Sequence, residues 1–252
     1  MDKFMQDFLR DEKARKRKEK ILSQMYAEQA QQVGTWRKLS QYINPYRGRF
    51  DGEDSRSEGQ RRDYKLLDPS PMHAHRKCAA GLHSGLTSPS RPWFELSLRD
   101  KELAASHTAK IWLDECHDIM MGVYARSNIY NMLQQIEAEL SQFGTAAALL
   151  MQDFDTGIHA RTFTCGEYAG GVDARGRIDK LGKKFRMTAQ QMVAEFGYDL
   201  CTHAVREAYN NDNMAALFDV HLLIEKNQDY DPNRLEPGNF QWRAAYWPPE
   251  SK

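Results

Sequence analysis

Apolar and polar residues follow two different periods along this chain, and the change falls near residue 146. Before it, the spacing is helical. Residues 1 to about 33 hold no Pro and no Gly ahead of Gly34 and are rich in Lys, Glu, Gln, Ala and Met. That composition predicts one helix. Trp36, Leu39, Tyr42 and Ile43 then fall three or four apart, predicting a separate short amphipathic helix that Asn44-Pro45-Tyr46 stops. Asp68-Pro69-Ser70-Pro71 predicts a helix start, with Ser70 as N-cap and Pro71 at the first helical position. Met72, His75, Ala79, Leu82 and Leu86 form its stripe. A helix over 101–124 is expected to bury Leu103, Ile111, Trp112, Ile119 and Val123. Ser127 can cap the next, where Ile129, Leu133, Ile136, Leu140 and Phe143 repeat at helical spacing before Gly144 ends it.

Between these helices lies Gly81 to Phe94. Gly81 and Gly85 weaken or end the preceding helix. Pro89 and Pro92 fix φ and push Ser88 and Arg91 toward extended geometry. Trp93 to Leu98 is expected to be a strand, with Phe94, Leu96 and Leu98 on one face.

After residue 146 the period shortens. Residues 146–154 and 158–164 read as two strands joined at Asp155-Thr156-Gly157. Residues 166–186 predict further short strands turning near Asp173-Ala-Arg-Gly176. Thr188-Ala-Gln-Gln191 is a capping box opening a helix that Gly197 ends. A helix over 199–209 follows. Residues 217–225 alternate, with Phe218, Val220, Leu222 and Ile224 on one face, and 240–247 are the expected antiparallel partner. The fold class is therefore α+β: N-terminal helices, then mixed helices and antiparallel strands and hairpins. Residues 1–34 are expected to be a charged helical arm, and 35–252 an α+β domain incomplete at its C-terminus. The sheet has just resumed there, and Trp247-Pro-Pro-Glu-Ser-Lys252 offers no closing helix. A longer parent protein is expected.

Composition narrows the function. The 252 residues are 41% hydrophobic and 11% aromatic, enough for a sizeable core. Lys plus Arg equals Asp plus Glu at 35 each, so no whole-chain basic field draws the protein to nucleic acid. Cys78, Cys116, Cys165 and Cys201 lie far apart, as free thiols in a reducing compartment would. The charged start lacks a signal peptide, and no apolar run reaches the ~18 residues of a membrane span. A soluble, cytoplasm-made protein is expected. Residues 51–63 carry no apolar side chain and read as an exposed loop. Arg10 to Lys20 mixes charges densely, as a solvated helix face does; an arm touching a partner or nucleic acid is the sharper reading.

Candidate chemistry is thin. His75 and Cys78 can share a helix face while His73 points elsewhere, and two ligands make no structural zinc site. Cys116 and His117 are adjacent and diverge around a helix, as do His83 and Ser84. Asp114, Glu115 and Asp118 could hold Mg²⁺ in a nuclease, or decorate an exposed helix. No phosphate-cradling Gly-x-x-x-x-Gly-Lys-Ser/Thr occurs. No catalytic, metal or cofactor site is expected. The aromatics sit at core-like spacing, favouring burial over base stacking.

Taken in order, several segments resemble the head-to-tail connecting, or portal, proteins of short-tailed bacteriophages. These are Trp36-Arg-Lys-Leu-Ser-Gln-Tyr-Ile-Asn-Pro-Tyr46, then Ala79 to Phe94 with its Gly-Leu-His-Ser-Gly-Leu-Thr-Ser-Pro-Ser-Arg-Pro core. Ser127-Asn-Ile-Tyr130, Phe143-Gly-Thr-Ala-Ala147, Gly166-Glu-Tyr168 and Met187-Thr-Ala-Gln-Gln191 continue the series. The family-motif residues are Trp36, Tyr42, Pro45, Gly81, Gly85, Pro89, Arg91, Pro92, Trp93, Phe94, Phe143 and Gly144. The resemblance implies a non-enzymatic subunit, here the N-terminal share of the outer, wing-like region. It implies a homo-oligomeric ring, typically dodecameric, at one capsid vertex of the virion, assembled in the host cytoplasm. Terminase, capsid or scaffold proteins and tail adaptors would be its partners, and double-stranded DNA would pass through non-specifically. The alternatives are a Mg²⁺-dependent nucleic-acid enzyme and an unrelated helical adaptor.

Overall fold

A computed structural model describes residues 11–50, 66–234 and 239–249. The loop expected over 51–63 and the first ten residues of the expected N-terminal helix lie outside these. The described residues form seven α-helices and six strands in two antiparallel sheets, the α+β class that the change of period indicates. The chain divides into two compact units, a helical one of residues 36–48 and 61–165 and a sheet unit of 1–35, 49–60 and 166–252. Helix α1, Glu12–Tyr42, contributes residues to both. It runs through Gly34, so the two helices expected on either side of that glycine are one. A mid-helix glycine costs only about 1 kcal/mol, less than the buried contacts of Leu22, Met25 and Trp36 on the same helix supply.

The helical unit holds α2 (Ser70–Leu86), α3 (Lys101–Ala105), α4 (His107–Arg126) and α5 (Ile129–Phe143). It also holds a hairpin of β1 (Ala147–Asp153) and β2 (Gly157–Phe163). Pro69, rather than Ser70, occupies the N-cap of α2, and the Asp68 carboxylate accepts from the Ser70 amide at 3.0 Å and its hydroxyl at 2.8 Å. Gly81 and Gly85 lie inside α2 rather than ending it. The helix expected over 101–124 breaks at Ser106, whose ψ of 133° is extended. Asp100 caps the short α3 by accepting from the Glu102 and Leu103 amides. Trp93 to Leu98 forms no strand and pairs with none among the described residues. Trp93 and Phe94 instead pack their rings on Tyr124, and Phe94 also meets His117. Asn128 takes the N-cap position of α5, while the Ser127 hydroxyl accepts from the Ile129 amide at 3.3 Å. Gly144, at φ 73°, ends α5 as expected.

Of the residues expected to be buried on α3 and α4, only Val123 is half-buried. Leu103, Ile111, Trp112 and Ile119 are exposed, Trp112 at 58% and Ile119 at 67%. The half-buried side is Leu113, Cys116, His117, Met120 and Tyr124. This helix is apolar on two sides, and spacing cannot say which one turns inward.

In the sheet unit the strand order is β3 (Tyr168–Val172), β4 (Ile178–Thr188), β5 (Leu217–Lys226), β6 (Trp242–Trp247), all antiparallel. Thr188 and Gln191 form the expected capping box of α6 (Ala189–Phe196). The helix expected over 199–209 is a 3₁₀ turn, Tyr198–Leu200, followed by α7 (His203–Asn210). Strand β5 is buried on both faces. Val220 joins Ala189, Met192, Cys201 and Val205, while Leu223 joins Leu22, Met25, Ala169, Ala245 and Trp247. Residues three apart on a strand face opposite ways, so α1 covers one face and α6 with α7 the other. Part of the charged run is thereby used internally. Lys18 pairs with Glu225, and Glu19 shares hydrogen bonds with His221 Nδ1 at 2.7 Å and Trp247 Nε1 at 2.8 Å. Burial works to raise the Glu19 pKa, but those two bonds and the charges of His221 and Lys184 hold it below the usual carboxylate value.

Candidate functional site

Four motif segments of the helical unit converge on α5. The buried Trp36 donates its indole N–H to the Phe143 carbonyl at 3.2 Å, tying α1 to the end of α5. Gln142 donates to the Leu39 and Asn44 carbonyls, both at 3.4 Å, and so holds the segment around the buried Pro45. Tyr42 is exposed. Pro45 removes a donor and stops the helix, and the Ser40 hydroxyl then donates to the Arg47 carbonyl at 2.5 Å.

Two buried carboxylates two residues apart, and so aimed at different sides of α5, supply the rest. Glu139, 2% exposed, accepts from the Thr164 hydroxyl at 2.8 Å, the Cys165 amide at 3.0 Å and Arg47 Nη1 at 3.4 Å. Thr164 in turn accepts from the Gly48 amide at 2.9 Å, so segments 47–48 and 164–165 are held side by side. Burial pushes the Glu139 carboxyl up, against the pull of the Cys165 amide, the Thr164 hydroxyl and Arg47. Glu137 accepts from the Thr87 hydroxyl at 2.7 Å and meets His83 Nδ1 at 3.0 Å. His75 Nε2 lies 3.0 Å from the Ala138 carbonyl. Thus α2 and the residue after it are fixed to α5 by polar side chains.

The Gly81 to Phe94 segment closes on itself. Arg91 donates from Nη2 to the Ser84 carbonyl at 3.0 Å and the Gly85 carbonyl at 3.1 Å. A cation over the last free carbonyls of a helix favours its C-terminus. Pro89, Arg91 and Pro92 are exposed, and Trp93 and Phe94 are half-buried. A Cβ at Gly81 or Gly85 would meet nothing within 4 Å. The motif residues therefore divide: Trp36, Pro45, Phe143 and Gly144 join the α5 assembly, Arg91 caps α2, and Trp93 and Phe94 join the ring cluster on α4.

The groups weighed for chemistry are dispersed. Asp114, Glu115 and Asp118 are exposed on α4. His73 and Cys78 are exposed while His75 is buried. His117 Nδ1 lies 3.4 Å from Asp118, and Ser84 donates to Gly81 rather than to His83. Among the described residues, no three His, Cys, Asp or Glu side chains converge as metal ligands, and no helix is long and apolar enough to cross a membrane. Sequence reasoning missed Glu137, Glu139 and Gln142. A glutamate on a helix defaults to the solvent side, and no local signal marks these three. The two carboxylates are matched by donors, which locks chain segments in place, while Gln142 Oε1 and His75 Nδ1 are buried without a partner among the described residues.

Comparison with known proteins agrees with that character. A profile of the bacteriophage head to tail connecting protein family matches residues 15–252. The chain is 35% identical over 226 residues to a probable portal protein of Bordetella phage BPP-1, covering 90% of this chain and 40% of that one. It is 33% identical over 228 residues to the portal protein of Salmonella phage epsilon15, covering 90% and 41%. The chain thus spans about two fifths of the length of these relatives. With a match across nearly all of its residues, the chain belongs to the bacteriophage head-to-tail connecting protein family.

Proposed function

We propose that this chain is the N-terminal share of a portal subunit, a structural part of the unique capsid vertex where head meets tail. Copies close into a ring, a dodecamer, through which double-stranded DNA passes during packaging and ejection without sequence recognition. Terminase docks on the ring while DNA enters, and tail adaptor proteins take its place afterwards; capsid or scaffold proteins surround it. The subunit assembles in the host cytoplasm, ends in the virion, and catalyses nothing itself. The observation that carries this reading is the family match over residues 15–252. The geometry suits it, because a ring wall must be stiff, and the α5 carboxylates, Gln142 and Trp36 cross-link segments far apart in sequence. A net charge of zero suits a conduit that does not grip its cargo.

The test is complementation of packaging. Heads assembled without the intact gene product are expected to take up no DNA, and supplying it during assembly restores filling. DNA-filled heads in its absence would overturn the proposal. The nuclease alternative gains no support from the placement of Asp114, Glu115 and Asp118. Replacing all three by Ala is expected to leave DNA integrity unchanged in an assay with Mg²⁺.

A further inference from the structure

The outward side of α4 is the least explained surface of the helical unit. Ile111, Trp112, Glu115, Asp118 and Ile119 project from it together, since residues three, four, seven and eight apart share a helix face. Trp112 and Ile119 are 58% and 67% exposed. The opposite side of the same helix is already committed, through Leu113, Met120 and Tyr124 among others. A helix apolar on both sides is ordinarily covered on both, and contiguous exposed apolar surface marks an interaction site. Three carboxylates, Asp114, Glu115 and Asp118, dot the middle of this face, and no Lys or Arg lies between Lys110 and Arg126. Its partner must therefore be apolar and positively charged.

The same chain carries such a surface at the β3–β4 turn. Val172 and Ile178 pair across the two strands, and each is 63% exposed. Arg175 and Arg177 project beside them, both exposed. Arg177 is engaged with Asp173 at 3.3 Å. Apolar centre meets apolar centre, and arginine meets carboxylate.

We propose that the outward face of α4 receives the β3–β4 turn of a second copy of this chain. The two patches are different, so the contact is heterologous, the kind that closes a ring by repeated rotation. This inference rests on the portal reading above and names the surface by which neighbouring subunits meet.

Charge exchange in the intact gene product, read by native mass spectrometry across a concentration series, tests it. Glu115→Arg together with Asp118→Arg is expected to raise the concentration needed for half-assembly by about tenfold or more, because like charges now face each other. Arg175→Glu together with Arg177→Glu does the same. A chain carrying all four substitutions recovers assembly, since the exchanged residues again face opposite charges across the contact between copies. Trp112→Ser weakens assembly without touching charge. These are exposed sites, and unchanged circular dichroism melting verifies that each variant folds. Single sets that assemble like the unsubstituted chain, or a fourfold variant no better than either half, would overturn this surface and leave the portal reading standing. So would loss of binding to a capsid or tail protein with self-assembly intact. An unsubstituted chain that never self-associates would instead remove the portal reading, and this inference with it.

Discussion

Two glycines show how differently one residue type can be used. Gly166 sits at φ +92°, and a Cβ there would lie 1.9 Å from the Arg49 carbonyl oxygen. Both the backbone conformation and the close approach exclude a side chain. Gly166→Ala is expected to cost more than about 2 kcal/mol, read as a lowered midpoint in denaturant titration. Gly34 lies in mid-helix with open space where its Cβ would be. Gly34→Ala should therefore stabilise by about 0.5–1 kcal/mol in the same titration. Glu139 makes a third residue-level case. Its carboxyl is raised above the ordinary value of 4.5 by burial, so the folded state holds a proton more tightly than the unfolded chain. The burden of the buried charge is full above the folded pKa and is relieved as pH falls through it toward 4.5. Glu139→Gln carries no such burden. The stability gap between the glutamine variant and the unsubstituted protein should be most favourable to glutamine at neutral pH and shift toward glutamate on acidification, at about 1.4 kcal/mol per unit of pKa elevation. Parallel thermal melts from pH 7 to 4 check this; a gap independent of pH would contradict it.

At the scale of elements, what was legible had local causes. The hairpin turn at Asp155-Thr156-Gly157, the Thr188–Gln191 capping box, the Gly144 end of α5 and the β5–β6 pair all follow from residues close in sequence. What was not legible depended on tertiary partners. Residues 93–98 have strand-like alternation but no neighbouring strand to bond, and their rings pack on α4 instead. Helix α1 continues past Gly34 because its contacts override a weak propensity penalty. Alternation on β5 identified Val220 as inward but not Leu223, since a strand covered on both faces loses the period-two signal. The buried α5 glutamates escaped for a related reason: their donors, Arg47, Thr87 and Thr164, lie far away in sequence. The docking of α1 on the sheet yields a direct prediction. Leu22, fully buried against Met25 and Leu223, should cost about 2–5 kcal/mol when replaced by Ala. A small change in the denaturation midpoint would show that α1 contributes little to the unit.

For the whole molecule, the proposed function calls for a structural subunit, stiff within each unit, that assembles with copies of itself. Polar cross-links inside the helical unit and a sheet covered on both faces supply the rigidity. The exposed apolar and oppositely charged surfaces of α4 and the β3–β4 turn are the ones proposed to carry self-association. Native mass spectrometry of the intact gene product, combined with electron microscopy of the same sample, tests this most directly. A closed assembly of identical copies around a central opening, with a single stoichiometry, is the predicted result. A protein that stays monomeric across the accessible concentration range would contradict the account.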